Sequence, residues 1–377
     1  MNRREAFAAT LRHQQPERIL VDYGKHIGSF HVNAYEPLKK HFGVTTPTKI
    51  LDRMAQNVVL DEEICQRLGI DFRWIVPNWV GVRDVEIDDE RGYIDMWQTP
   101  HKWTDVGQYY AIHASPFSKE TLTQADIDAF DWPNPNQPAM FAGLAEQARN
   151  LFENTDYIVG ADGIKAGILQ TASQLRGYDK LFLDFSLHPE TTHAFLDRLS
   201  AVMNEMYRHY MLAVGKYVQV VTITDDQGTQ NSLMVSPKMF REFIKPRLKS
   251  LIDTIKSTAD VKVLMHCDGA ITKIIPDLVE IGVDILNPIQ TVVKGMEDTR
   301  ALKEQFGGQV CFHGGIDIQQ VMRNSTPEQL YGEVERRIHD LSVDGGYILA
   351  PCHNINVDIP IENTLAVFDA AKKFRKV

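Results

Sequence analysis

The stretch "VKVLMHCDGAI", Val261 to Ile271, begins as a strand and ends as something else. Its first five residues are short and mostly apolar, the pattern of a strand buried on both faces. His266, Cys267 and Asp268 follow without a break, and Gly269 stops the run. A core strand therefore carries three candidate metal ligands or proton carriers at its own tip. "GYILAPCHNI", Gly346 to Ile355, has the same design and ends in Cys352, His353 and Asn354.

Outward from these two, the unit recurs. Further short apolar strands are expected at "RILVDY", "DFRWIV", "YIVGAD", "VQVVTIT", "VDILNP" and "QVCFHG", giving eight in all. Helices are expected between most of them. "SPKMFREFIKPRLKSLIDTIK" offers Ser236 as an N-cap with Pro237 in the first turn. "STPEQLYGEVERRIHDL" repeats the device, with Ser325 or Thr326 as the cap and Pro327 just inside. Alternating strands and helices with fully apolar strands predict an α/β fold, a parallel sheet covered by helices. Eight repeats predict a (β/α)8 TIM barrel, taken as a single domain over 1–377. Helical material is expected around Ile50 to Leu68. Between 80 and 116 the chain turns aromatic, β-branched and turn-punctuated, so a β-hairpin insertion is expected there.

In such a barrel the functional groups sit where strands run into the following loops. The expected tips carry Asp22, Tyr23, Asn78, Asp162, Asp225, Asp226, His266, Asp268, Asn287, His313, Cys352 and His353. Asp and Asn are common turn residues, whereas three histidines at separate tips are harder to assign to turns. Strand side chains alternate, so one of Asp225 and Asp226 faces the mouth, and His266 and Asp268 share a side that Cys267 does not. Cys65, Cys267 and Cys311 read as packing. A His-x-Asp on one tip and Cys-His on another could ligate zinc, or serve acid–base chemistry without a metal.

Composition narrows the classes. A net charge of −10 with no basic run argues against nucleic acid. No apolar run approaches the roughly 18 residues of a membrane span. The N-terminal "MNRREAFAATLRHQQPER" lacks the apolar core of a signal peptide, and the four cysteines are scattered, so a reducing cytoplasm is expected. No GxGxxG follows the first strand and no Walker loop is present, which lowers dinucleotide and P-loop readings.

Five blocks carry a likeness: "RREAFAATLRHQQPERILVDYG", "DDQGTQNSLMVSPKMFREFIKPRLKSLI", "HCDGAITKIIPDLVEIGVDILNPIQ", "FHGGIDIQQVM" and "GGYILAPCHNINVDIPIENTLAVFDAAKKF". Together they resemble the uroporphyrinogen decarboxylase-like superfamily, closest to its corrinoid-dependent methyltransferase branch. The resemblance implies a TIM barrel and one of two activities. One is metal-free decarboxylation of a tetrapyrrole or aromatic acid. The other is zinc-assisted methyl transfer between a corrinoid protein carrying methylcobalamin and a small thiol or tetrahydropterin.

The chain departs from both patterns. The decarboxylases carry an arginine-rich motif after the first strand, where this chain reads "DYGKHIGSF". The methyltransferases carry His-x-Cys, and here His266 falls on the histidine and Asp268 on the cysteine. Their later cysteine falls on His353, with Cys352 one residue early. Methyl transfer is the favoured expectation, because ligands are exchanged rather than lost. The resemblance then implies zinc held by His266, Asp268 and His353 or Cys352, with Asp226, His266 and His353 catalytic. Asp162, Asn287 and His313 are expected to bind substrate, a separate corrinoid protein to be the partner, and a homodimer to form.

Overall fold

The computed structural model describes residues 1–164 and 167–376. Eight parallel strands form one sheet: β1 (Leu20–Val21), β2 (Phe72–Ile75), β3 (Ile158–Ala161), β4 (Val220–Thr224), β5 (Lys262–His266), β6 (Ile285–Ile289), β7 (Cys311–Ile316) and β8 (Tyr347–Pro351). The neighbours run β1, β8, β7, β6, β5, β4, β3, β2. The ring closes where Asp71 N–H, one residue before β2, donates to Val21 O of β1 at 2.8 Å. This is the (β/α)8 barrel expected from the strand rhythm.

Strand alternation divides the core in two. Leu20, Phe72, Trp74, Ile158, Val220, Leu264, Ile285, Cys311 and Ile348 cluster inside the barrel, with Phe7 of the opening helix (Arg3–Leu11) among them. Val21, Val159, Val221, Val263, Leu286, Phe312 and Leu349 point outward into the larger cluster shared with the helices. Two residues beyond an inward apolar residue comes the next inward position. Leu20 is thus followed by Asp22, Leu264 by His266, Ile285 by Asn287 and Cys311 by His313. A polar layer lies directly above the apolar one. Gly160 makes room in it: a Cβ there would lie 2.4 Å from the Trp74 ring.

Two elements differ from expectation. The segment expected as one hairpin over 80–116 is a four-stranded antiparallel sheet of Arg83–Ile87, Glu90–Ile94, Pro100–Thr104 and Tyr109–Ile112. Helix around Ile50 to Leu68 is confined to Glu62–Leu68; ahead of it Lys49–Asp52 and Asn57–Val59 pair antiparallel. The Asp52 carboxylate builds that turn by accepting the N–H groups of Met54 (2.7 Å) and Ala55 (3.3 Å). Both elements stand beside the barrel mouth and wall it. Among the described residues, no helix is long and apolar enough to cross a membrane.

Candidate active site

Alternation sorts the tripeptide after β5. His266 continues the inward face and is buried, Cys267 packs into the outer cluster, and Asp268 returns to the mouth. Gly269 adopts φ +97° and presses against Gly228, where a Cβ would sit 2.4 Å from the Gly228 carbonyl carbon. That contact holds the loop after β5 against the loop after β4. Asp268 N–H then donates to Asp226 Oδ1 at 2.8 Å, bringing the two carboxylates to one place. Asp226 is the member of its pair that faces the mouth. Asp225 is fully buried and caps the helix Ile168–Arg176, accepting from Leu169 N (3.1 Å) and Gln170 N (2.9 Å).

His353 arrives from the opposite direction. Asn354 Oδ1 accepts from Gly28 N (2.7 Å) and Ser29 N (2.9 Å), and the Tyr23 hydroxyl accepts from Ile355 N (2.8 Å). The loop after β8 is thereby clamped to the loop after β1, and the His353 ring stands 5.7 Å from that of His266. One ligand atom each from His266, Asp268 and His353 lies within 4.8 Å of the others. His266 Nε2 lies 3.6 Å from Asp268 Oδ2 and 3.8 Å from Asp226 Oδ1. It is buried with no hydrogen-bond partner among the described residues. A buried ring nitrogen without a partner is costly unless something occupies the space before it.

The donor set fits zinc. The ion takes imidazole nitrogens and a carboxylate oxygen at about 2.0–2.2 Å, which spaces tetrahedral ligands roughly 3.4 Å apart. His266 Nε2 and Asp268 Oδ2, 3.6 Å apart, are close to that spacing, and all three ligand atoms lie within 4.8 Å of one another. Cys352 is set apart: its thiol is buried and lies 3.3 Å from Ile289 O, and burial pushes its pKa up. Of the two ligands left open by the sequence, the geometry therefore favours His353.

Charge in this cluster is unevenly held. Burial opposes a charge on His266, but Asp268 and then Asp226 outweigh it and raise its pKa. Burial would raise Asp268 as well, yet His266 holds it below the usual carboxylate range. Asp226 is raised by burial, with His266 only partly offsetting. Burial pushes His353 down to about 4, keeping its ring neutral and its nitrogens available to a metal.

The remaining expected residues sit elsewhere. Asn287 and His313 lie beneath the mouth rather than on its walls, both buried. Asn287 Oδ1 is 2.6 Å from His266 Nδ1, and its Nδ2 is 2.7 Å from His313 Nδ1. Sequence places a residue at a tip but not its depth, so these two were expected one layer too high. Asp162 is also buried, and its carboxylate is taken up by His26, at 2.6 Å from the backbone N and 2.5 Å from Nδ1. The group presented to the mouth is His26 itself. It lies in "DYGKHIGSF", where the Lys25–His26 pair in the loop after the first strand was the available signal.

Beside His26 and His353 opens a cleft of about 260 Å³. Its walls come from the two antiparallel elements and the loop after β2, with Met54, Trp79, Tyr93, Met96 and Trp97 prominent. An apolar, aromatic chamber ending at a few polar groups suits a small organic ligand held against the cluster.

Residues 105–374 match the family model described as Uroporphyrinogen decarboxylase (URO-D). Chloroplastic uroporphyrinogen decarboxylase 2 of Arabidopsis thaliana is 26% identical over 253 residues, covering 64% of this chain and 58% of that protein. Methylated-thiol–coenzyme M methyltransferase of Methanosarcina mazei is 24% identical over 206 residues, covering 54% of this chain and 50% of that protein. The chain thus spans about half the length of these two curated relatives. A solved methyltransferase from Methanosarcina mazei shares the fold, with a TM-score of 0.66 at 15% identity over 99% of both chains.

Proposed function

The chain belongs to the uroporphyrinogen decarboxylase (URO-D) family, and on that premise we propose that it is a methyltransferase. It moves a methyl group between a small molecule in the cleft and the corrinoid of a separate protein that docks over the mouth. The observation that carries this reading is His266 Nε2, buried with no hydrogen-bond partner among the described residues, 3.6 Å from Asp268 Oδ2 and grouped with Asp268 and His353. His266, Asp268 and His353 would hold zinc. When bound, the ion would supply Lewis acidity to the oxygen, sulfur or nitrogen of the ligand that gains or loses the methyl group.

The chain's own groups divide the remaining tasks. Asp226 stands at the edge of the cluster with its pKa raised by burial, which suits it to take or return the proton displaced when the ligand's charge changes. Gln170 Nε2 donates to Asp226 Oδ2 at 2.5 Å and fixes its orientation. The aromatic walls position the ligand's body and exclude water from the polar end of the cleft.

Metal analysis of the purified protein is the first test. Roughly one zinc per chain, lost in His266→Ala with loss of single-turnover methyl transfer, is the expected result. Decarboxylation is the activity named in the Arabidopsis relative. A chain that binds no zinc and releases carbon dioxide from an aromatic or tetrapyrrole acid would replace methyl transfer with that activity.

A further inference from the structure

Beneath the cluster a row of buried polar side chains crosses the barrel interior. Trp74 Nε1 donates to Asp22 Oδ1 at 2.8 Å, and Lys25 Nζ donates to Asp22 Oδ2 at 3.1 Å. His313 Nε2 meets the same Oδ2 at 2.8 Å. The row continues through the Asn287 amide to His266 Nδ1. Asp22, Lys25, His313, Asn287 and His266 are each at most 1% exposed. In that setting each polar atom needs a partner of the right sense, so the protons can be placed by elimination.

Asp22 fixes the first proton. Its carboxylate already accepts from an indole and an ammonium, and ionised it can only accept, so His313 must carry its proton on Nε2. Burial and then Lys25 push His313 down to about 4, so the ring is neutral and its Nδ1 is an acceptor. Asn287 must therefore turn its amide nitrogen to His313 and its oxygen to His266. That oxygen accepts, so His266 carries a proton on Nδ1. Nε2 is left as the nitrogen that is bare in the neutral ring, and Nε2 is the atom aimed at Asp268 and His353.

We infer that Asp22, three hydrogen bonds from the cluster, is a positioning residue that sets the tautomer of His266 through His313 and Asn287. The reverse assignment turns the Asn287 amide over, leaves His313 protonated on both nitrogens beside Lys25, and puts a proton on His266 Nε2. A ring in that state donates to the carboxylates and cannot ligate a cation. The chain of bonds thus selects between a metal-ligating imidazole and a proton-donating one. The metal arm of this inference rests on the function proposed above; the proton assignment does not.

The test is the ¹⁵N spectrum of histidine-labelled protein, followed to alkaline pH until the His266 signals stop changing, together with zinc titration. The unsubstituted protein should show His266 protonated on Nδ1 alone. Asn287→Ala cuts the chain of bonds near the ring. Asp22→Asn combined with Lys25→Met cuts its far end while removing both buried charges together. Either folded variant should show mixed His266 tautomers and a zinc Kd weakened roughly tenfold or more, the scale of groups that orient metal ligands. His266 protonated on Nε2 in the unsubstituted protein, or a single unchanged Nδ1 tautomer in the folded variants, overturns the inference. Absence of zinc binding throughout would instead overturn the methyltransferase reading, and the tautomer spectra would still decide the role of Asp22.

Discussion

His266 and Cys267 are consecutive, and the barrel turns them opposite ways. The imidazole enters the polar layer, while the thiol joins the outer apolar cluster, where burial raises its pKa well above the usual thiol range. His266→Ala should abolish zinc binding. Cys267→Ser should keep it and lose about 1–3 kcal/mol for placing a hydroxyl among the outer apolar side chains. Zinc content and urea unfolding of both variants check the pair, and a folded Cys267→Ser protein without zinc would make the thiol a ligand. Asp225 and Asp226 show the same division with a pH consequence. Burial raises Asp225 to about 7 despite the helix N–H groups it accepts. Between its unfolded value near 4 and about 7 the folded state holds a proton that the unfolded state has lost. That contribution to stability is complete below the window and falls by roughly 1.4 kcal/mol per pH unit as pH rises through it. Asp225→Asn should remove this downward slope, and denaturant midpoints across the window would measure it. An unchanged slope would mean that Asp225 is ionised throughout.

The elements that were legible in sequence are those decided by a single strong pattern. Each barrel strand is a short apolar run, buried on both faces, and all eight lie where the runs predicted. Asp268 returning to the mouth and Cys267 leaving it follow from period two alone. Elements decided by turn chemistry were harder to read. Ile50, Leu51, Met54, Val58 and Val59 suit a helical or a strand period equally, and the Asp52 turn that makes them a hairpin depends on a side-chain oxygen accepting two backbone N–H groups. Depth was not legible either: Asn287 and His313 occupy tips but lie under the cleft. The four-stranded insertion carries a prediction of its own scale. At Gly92, on its second strand, a Cβ would lie 2.7 Å from the His101 carbonyl oxygen on the third. Gly92→Ala should force these strands apart beside Tyr93, a wall of the cleft, while leaving the barrel ladder intact. The expected result is a several-fold rise in KM with little change in zinc content. Unchanged KM would show that the wall does not touch the ligand.

At the scale of the whole molecule the two ends of the barrel have different work. The upper end gathers the polar tips and the cleft; the lower end gathers the chain termini around one carboxylate. Asp71, immediately before β2, accepts from Arg3 Nε at 3.1 Å, Arg18 Nη2 at 3.1 Å and Val21 N at 3.0 Å, and also pairs with Arg375. Its side chain is 1% exposed, whereas Arg3 and Arg18 are 28% and 30% exposed. The opening helix, β1 and the end of the last helix (Ile361–Phe374) are thus tied at the seam where the barrel closes. Removing the charge leaves Arg18 and Arg375 without this carboxylate at the seam, while Arg3 keeps its pairing with Asp156. Breaking a fully buried pair costs about 3–5 kcal/mol, and the partial exposure of Arg3 and Arg18 lowers this to roughly 2–4 kcal/mol for Asp71→Asn. Because the seam lies at the end of the barrel away from the cleft, zinc content and single-turnover rate should be unchanged at temperatures where the variant is folded. Thermal unfolding beside single-turnover measurements separates the two effects. A variant that keeps its stability but loses zinc would show that the lower seam sets the geometry of the upper layer, since Asp22 is the residue that follows Val21 on the same strand.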